Sequence, residues 1–399
     1  MTKAKGVNFL SKINNELMRK TILEFDKVPV NEFSSTVNQS SSFISEAAAA
    51  NDIKIIKSPK GKRLSTFTYK NQKFASMNGL KPSSTSRAAF HLCRDKFGLE
   101  NFLSSMDITT LESKLFTFEE KKHALNHIKA LDTEKFVLKP LSLAGGLGIE
   151  LNVDEHNFSE AWDDSITAQK SNNVSAPSCI VQPFIQGFDV RVSIIEGDFA
   201  AASLRLPAHI VGNGQDSIKE LIAQKNEARA KIKYFNNKLI KIDNKLQKRL
   251  KNINHTIDDV PKNNQIFILT DISNLTLGGE SIDITESVSE KIVKTALNAT
   301  AAIPGLNTAG IDFMVNDYKE GDGYIIEVNT NANHTIHHVP LKGDTRYPFH
   351  QLIKSLLVKY KAEQGYEMDE KERILLKSIW KFKKLKEFYA IKLFESSML

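Results

Sequence analysis

Cysteine is nearly absent: two residues in 399, Cys93 and Cys179, lie far apart and lack the paired spacing of a zinc site. A disulfide framework is thereby excluded, and a reducing, cytoplasmic setting is the expectation. Long apolar runs are missing as well. No stretch reaches membrane-spanning length, and Met1 to Lys20 has no apolar core of the kind a signal peptide needs. No Gly-Lys-Ser/Thr phosphate loop and no dinucleotide glycine fingerprint is present. The net charge is +7, but basic residues gather only in Lys225 to Lys251 and near the end of the chain. That distribution gives no concentrated basic face with interleaved aromatics, so no nucleic-acid partner is expected, and a small polyanion suits the charge equally well. With 41% hydrophobic and 25% charged residues, 399 in all, the chain is globular and long enough for two or three domains.

What is there centres on Gly310 to Asn331. Two apolar runs, GIDFMVND and GYIIEVNTN, flank a polar turn and predict an antiparallel strand pair. Asp312 sits between Ile311 and Phe313, and Glu327 follows two isoleucines. Carboxylates set among apolar neighbours need a cation. Asp312, Glu327 and Asn329 form an all-oxygen set suited to magnesium bound together with a nucleotide, although simple alternation could also turn each acid to solvent.

Further stretches carry chemistry. The pattern from Ser83 is helical and holds Lys96. Phe136 to Leu138 predicts a strand that ends in Lys139, followed by a loop with Gly145, Gly146 and Gly148 and a second strand from Ile149 to Val153. Glycines let backbone N–H groups approach phosphate while the lysine supplies charge; the plain alternative is an ordinary turn. In CIVQPFIQGFDVRVSII, a strand end presents Gln182, Phe184 and Ile185, then Asp189 after a Gly187 turn, a pattern that can hold an adenine and a ribose. Arg205 projects from a strand of small and apolar residues, where it could pair with an acid or clamp a phosphate. Asn274, before Gly278 and Gly279, is a further oxyanion candidate. Residues 216–255 predict an insertion or lid helix, and Lys371 to Leu399 a basic amphipathic helix packed on protein. His334, His337 and His338 lack zinc-type partners and are expected at the substrate or the wall of the site.

The order of these signals resembles the ATP-grasp superfamily from about Ser83 to Tyr360. The blocks RLPAHIVGNGQDSIKELI, NLTLGGESIDIT, AGIDFMV and IIEVNTNANHTIHHVP look most like the ligase domain of cyanophycin synthetases and of bifunctional enzymes with a glutathione synthetase domain. The resemblance implies an α+β ATP-grasp fold, two α+β subdomains gripping ATP. A small N-terminal α/β region would span 1–82, the ligase domain 83–360 and the C-terminal helix 361–399. It implies Lys96 and Lys139 on the phosphates with Gly145 and Gly146, and Gln182, Phe184 and Ile185 around the adenine. Asp189 would hold the ribose, Arg205 the phosphate and acyl intermediate, and Asp312, Glu327 and Asn329 two magnesium ions, replaceable by manganese. Two departures stand out: Gln182 where the family commonly has Glu, and Ala332-Asn333 where Pro-Gly is frequent. The implied activity is ADP-forming ligation of a carboxylate to an amine, on amino acids or peptides, in a homo-oligomer. A nucleotide-binding regulatory module and phosphotransfer to another acceptor are the competing readings.

Overall fold

The computed structural model of this chain describes residues 16–33, 39–59, 63–131, 135–143, 146–270 and 272–396. Helices α1 (Glu16–Asp26) and α2 (Ser40–Ala49) precede strands β1 (Lys54–Lys57), β2 (Leu64–Tyr69), β3 (Gln72–Asn78) and β4 (Lys81–Pro82), an antiparallel sheet in chain order. This leading region shares its core with a distant part of the chain. Phe43, Ile44, Phe67 and Met77 pack with Phe349, Leu352 and Leu356.

The next unit is a four-stranded antiparallel sheet with its helices. The pattern from Ser83 forms two helices, α3 (Arg87–Leu92) and α4 (Lys96–Ser105), because Ser86 and Asp95 each cap a new N-terminus with their side chains. Then follow β5 (Lys114–Thr117), α5 (Lys121–Ala130), β6 (Phe136–Pro140), β7 (Glu150–Val153), α6 (Phe158–Ser171) and β8 (Ser178–Pro183), with strand order β5-β8-β6-β7. Strand alternation sends Phe136, Leu138, Cys179 and Val181 into a core with Trp162 and Ile166. Val137, Lys139, Ile180 and Gln182 therefore share the opposite face, where Lys139 pairs with Ile180 and Val137 with Gln182.

The larger sheet begins after Gly187 with β9 (Phe188–Ile195) and β10 (Asp198–Leu206). Gly187 is obligatory there: a Cβ would lie 2.1 Å from the Val315 carbonyl oxygen. A subdomain follows, built from β11 (His209–Val211), α7 (Ile218–Ala230), α8 (Asn244–Asn252) and β12 (Ile266–Ile268). The expected insertion or lid helix over 216–255 is thus an insertion with two helices around their own core of Ile210, Ile218, Ile222, Leu246, Leu250 and Phe267. Beyond it, β13 (Glu280–Asp283), α9 (Glu290–Ala302), β14 (Ala309–Val315) and β15 (Gly323–Asn329) complete a sheet of order β13-β10-β9-β14-β15. Its apolar face, with Val190, Val192, Leu204, Ile311 and Phe313, belongs to the main core together with Ile292 and Ala296 of α9.

Three helices finish the described chain: α10 (Thr335–His338), α11 (Pro348–Gln364) and α12 (Glu370–Ser396). The tail helix is seated through Phe382 and Tyr389 in the main core, leaving Trp380, Phe388 and Ile391 exposed. Both cysteines are buried and free. Among the described residues no helix is long and apolar enough to cross a membrane.

Candidate active site

The strand period that buries Ile311 and Phe313 turns Asp312 to the other face of the large sheet, and its neighbours follow suit. Asp189, Arg191 and Ser193 alternate with Val190 and Val192 on β9; Ser203 and Arg205 flank Leu204 on β10. Register then aligns these side chains across strands. Arg205 lies opposite Asp189, and Arg191 opposite Asp312, which lies opposite Glu327; Gly310 lies opposite both Ser193 and Asn329.

The result is a chain of ion pairs. Arg191 grips Asp312 through two nitrogens, with Nη2 to Oδ2 at 2.8 Å, and Arg205 Nη2 reaches Asp312 Oδ1 at 2.9 Å. Arg205 Nε also donates to Asp189 Oδ1 at 2.8 Å. Burial alone would raise the Asp312 carboxyl, but Arg191 and Arg205 outweigh it and hold the group below the usual aspartate value. Burial wins at Asp189, which is pushed up to about 6 in spite of Arg205. Gly310 makes room for this arrangement, since a Cβ there would stand 2.9 Å from Arg191 Nη1 and 2.7 Å from the Ala332 Cβ. Asn329 Nδ2 donates to Asp312 Oδ2 at 3.3 Å, which leaves its carbonyl oxygen to join the Asp312 and Glu327 carboxylates around a cation.

Does this donor set fit a metal? Among the described residues no three His, Cys, Asp or Glu side chains form a metal-holding group. Two carboxylates and one amide oxygen are what the strands provide, and both Asp312 oxygens are engaged by Arg191 and Arg205 in this structure. The set is too small to enclose an ion by itself. It suits magnesium, which keeps waters and takes phosphate oxygens as its other ligands.

The four-stranded sheet supplies the second wall. Lys139 is buried near Lys96; burial first, then that neighbouring cation, pushes it down to about 8 against the pull of Glu100 and Glu327. Lys96, the first residue of α4, donates from Nζ to the Leu143 carbonyl at 2.9 Å and so fastens the start of the glycine loop. In that loop Gly146 takes φ +85°, a conformation that favours glycine, while Gly145 lies outside the described residues. Gln182 is buried, and Phe184 and Ile185 are half-buried where the chain passes from one sheet to the other.

A cleft of about 220 Å³ opens beside the ion-pair chain, lined by Arg191, Arg205, Leu275, Asn329, Asn331 and Asn333 among others. Asn274 precedes Leu275, and its side-chain oxygen caps the following turn, accepting from Thr276 N at 2.9 Å and Thr276 Oγ1 at 2.8 Å, so an oxyanion would meet its Nδ2. The three histidines expected at the wall are instead buried. Ser193 Oγ joins His334 Nδ1 at 2.8 Å to His337 Nε2 at 2.9 Å, and His338 stacks on Phe43 with ring centres 4.1 Å apart. Burial, reinforced by Arg191, drives His334 down to about 3, and burial holds His337 well below its ordinary value, so both rings are neutral. Arg191 and Glu100 carry no motif of their own in the sequence. The two-residue offset from Asp189 was the available signal for Arg191; nothing local marked Glu100.

Residues 93–333 match the ATP-grasp domain family. A cyanophycin synthetase of Geminocystis herdmanii (strain PCC 6308) is 35% identical over 214 residues, which cover 52% of this chain and 24% of that protein. A glutathione biosynthesis bifunctional protein of Clostridium perfringens (strain 13 / Type A) is 28% identical over 272 residues, 67% of this chain and 34% of that protein. The chain thus spans only 24% and 34% of the length of these two relatives. The crystal structure of a bifunctional glutathione synthetase from Pasteurella multocida shares the fold over 81% of this chain and 44% of its own, with a TM-score of 0.61 and 22% identity. The family match takes in both the β5-β8-β6-β7 sheet and the larger sheet and ends just beyond the Asp312, Glu327 and Asn329 set, and this protein accordingly belongs to the ATP-grasp family.

Proposed function

We propose that the chain is an ATP-dependent carboxylate–amine ligase, acting on an amino acid or peptide and releasing ADP and phosphate. The observation that supports this reading is a pair of charged patches: buried Lys139 with Lys96 near it on the four-stranded sheet, and two guanidiniums with the carboxylate pair on the larger sheet. Such a cleft suits a polyanion that brings a cation with it.

In the first step a substrate carboxylate oxygen attacks the γ-phosphorus of ATP; the bond to the β-phosphate oxygen breaks and ADP leaves, giving an acylphosphate. In the second an amine nitrogen attacks the acyl carbon, phosphate departs with the bonding pair, and the nitrogen loses a proton. Lys96 and Lys139 hold phosphate oxygens, the glycine loop offers them backbone N–H groups, and Gln182, Phe184 and Ile185 take the base. Asp189, tied to Arg205, stands at the ribose end. Arg191 and Arg205 line the cleft and offset charge on the transferred phosphoryl group and the acyl oxygen. Asp312, Glu327 and the Asn329 carbonyl would hold magnesium, two ions or manganese in its place. When bound, the metal neutralises phosphate charge. Closure of the glycine loop keeps water from the acylphosphate.

Phosphate release from ATP and magnesium with pools of amino acids and short peptides, followed by mass spectrometry, tests the proposal. The expected product is lighter by one water than its two substrates together, and it vanishes with Glu327→Ala. Phosphate release without an amide would instead establish transfer to another acceptor. ATP binding with no turnover in any pool would favour a regulatory module.

A further inference from the structure

Gln182 is buried on the inner face of the four-stranded sheet, and its amide is not free to turn. Its Nε2 donates to Glu100 Oε2 at 3.1 Å. Glu100 is itself pinned by the residue just before β5: Oε1 accepts from Ser113 N and Oε2 from Ser113 Oγ, both at 2.6 Å. A carboxylate offers acceptors only, so the amide must direct its NH₂ toward Glu100. The Gln182 carbonyl oxygen is then the edge left for a ligand on this face, beside Val137 and Ile180. A buried carbonyl accepts from a donor and rejects another acceptor at the same place.

We infer that Glu100 is a positioning residue for nucleobase choice: by fixing the Gln182 amide it makes the cleft select a purine with a 6-amino group over one with a 6-oxo group. The inference rests on the nucleotide reading of the cleft and adds which base enters and what decides it. A glutamine alone would leave the choice open, because its terminal amide carries a donor and an acceptor of nearly the same shape and can flip. The bond to Glu100 removes that freedom. The second contact, to Ser113, keeps Glu100 from following the amide if it turns.

Binding of ATP and of GTP, each with magnesium, is measured by titration calorimetry on the wild type, Glu100→Gln and Ser113→Ala, with thermal melting to confirm folding. The wild type prefers ATP by about 100-fold or more, the discrimination of a site built on hydrogen bonding. In Glu100→Gln the new amide can accept or donate, Gln182 flips, and the ATP-to-GTP ratio falls about tenfold, the worth of one hydrogen bond. Ser113→Ala loosens Glu100 and lowers the ratio less; it decides the matter if Glu100→Gln does not fold. A merely structural Glu100 would weaken both nucleotides alike and leave the ratio unmoved, which overturns the inference. Equal binding of ATP and GTP by the wild type overturns it too, with the nucleotide reading intact. If the wild type binds neither nucleotide, the reading of the cleft itself is lost and this inference with it.

Discussion

On the five-stranded sheet Asp189, Arg205, Asp312 and Arg191 neutralise one another in a row that crosses three strands, whereas on the four-stranded sheet Lys139 is buried with a second cation, Lys96, close by. The first wall is balanced before any ligand arrives. The second carries a cationic excess that burial makes costly, and an anion would relieve it. Charge pairs hold the first wall in shape, while on the second two lysines have one nearby carboxylate, Glu100, between them.

The largest loss of stability is expected at Asp312. Replacing it with Ala leaves two guanidiniums facing one another without their shared acid, and the chain should lose about 3–5 kcal/mol in denaturant unfolding. Lys139→Met should do the reverse: phosphate release falls about 10²–10³-fold, the loss of one preorganised charge, with a melting temperature equal to or above the wild type's. A destabilised Lys139→Met would show that the lysine is matched after all. The same pair of proteins sharpens the contrast through pH. Lys139 has a folded-state value of about 8, below its ordinary 10.5. The unfolded chain therefore binds more protons between those values, so the penalty from Lys139 is full below pH 8 and is relieved as pH rises toward 10.5. Stability of the wild type relative to Lys139→Met should rise across that window and stay flat beneath it. The smallest effect is expected at Ser193→Ala, which removes the hydroxyl shared by His334 and His337 and should cost about 1–3 kcal/mol in the same unfolding assay.

Strand periodicity made much of this legible in the sequence. Asp312 and Glu327 stood out because acids interrupt runs of Ile, Val and Phe, and period-two alternation is the same whether read in sequence or in space. Lys139 was legible for the same reason, at the end of a short apolar strand. Arg191 was not, because its importance depends on the register that sets it opposite Asp312, and register between β9 and β14 joins residues 121 apart. The division of 216–255 into two helices was illegible for a related cause. Its apolar residues are sparse, and they make a core only when β11 and β12 pair and close over α7 and α8. The turn that the Asn274 oxygen caps is not displayed by the sequence; it takes up the acceptor of that amide, whereas an oxyanion would meet its NH₂.

Strand β15 is the last in its sheet, paired to β14 on one side. An outer strand opens more cheaply than an inner one, since releasing it breaks one ladder of backbone hydrogen bonds and not two. Two of the three candidate metal ligands, Glu327 and Asn329, ride on that outer strand, and the third, Asp312, is on the strand inside it. A cation held between them would act as a rivet across the seam. Amide exchange along Gly323–Asn329 would then slow with the ion present, a record of occupancy written in the backbone of the sheet's edge rather than in the cleft.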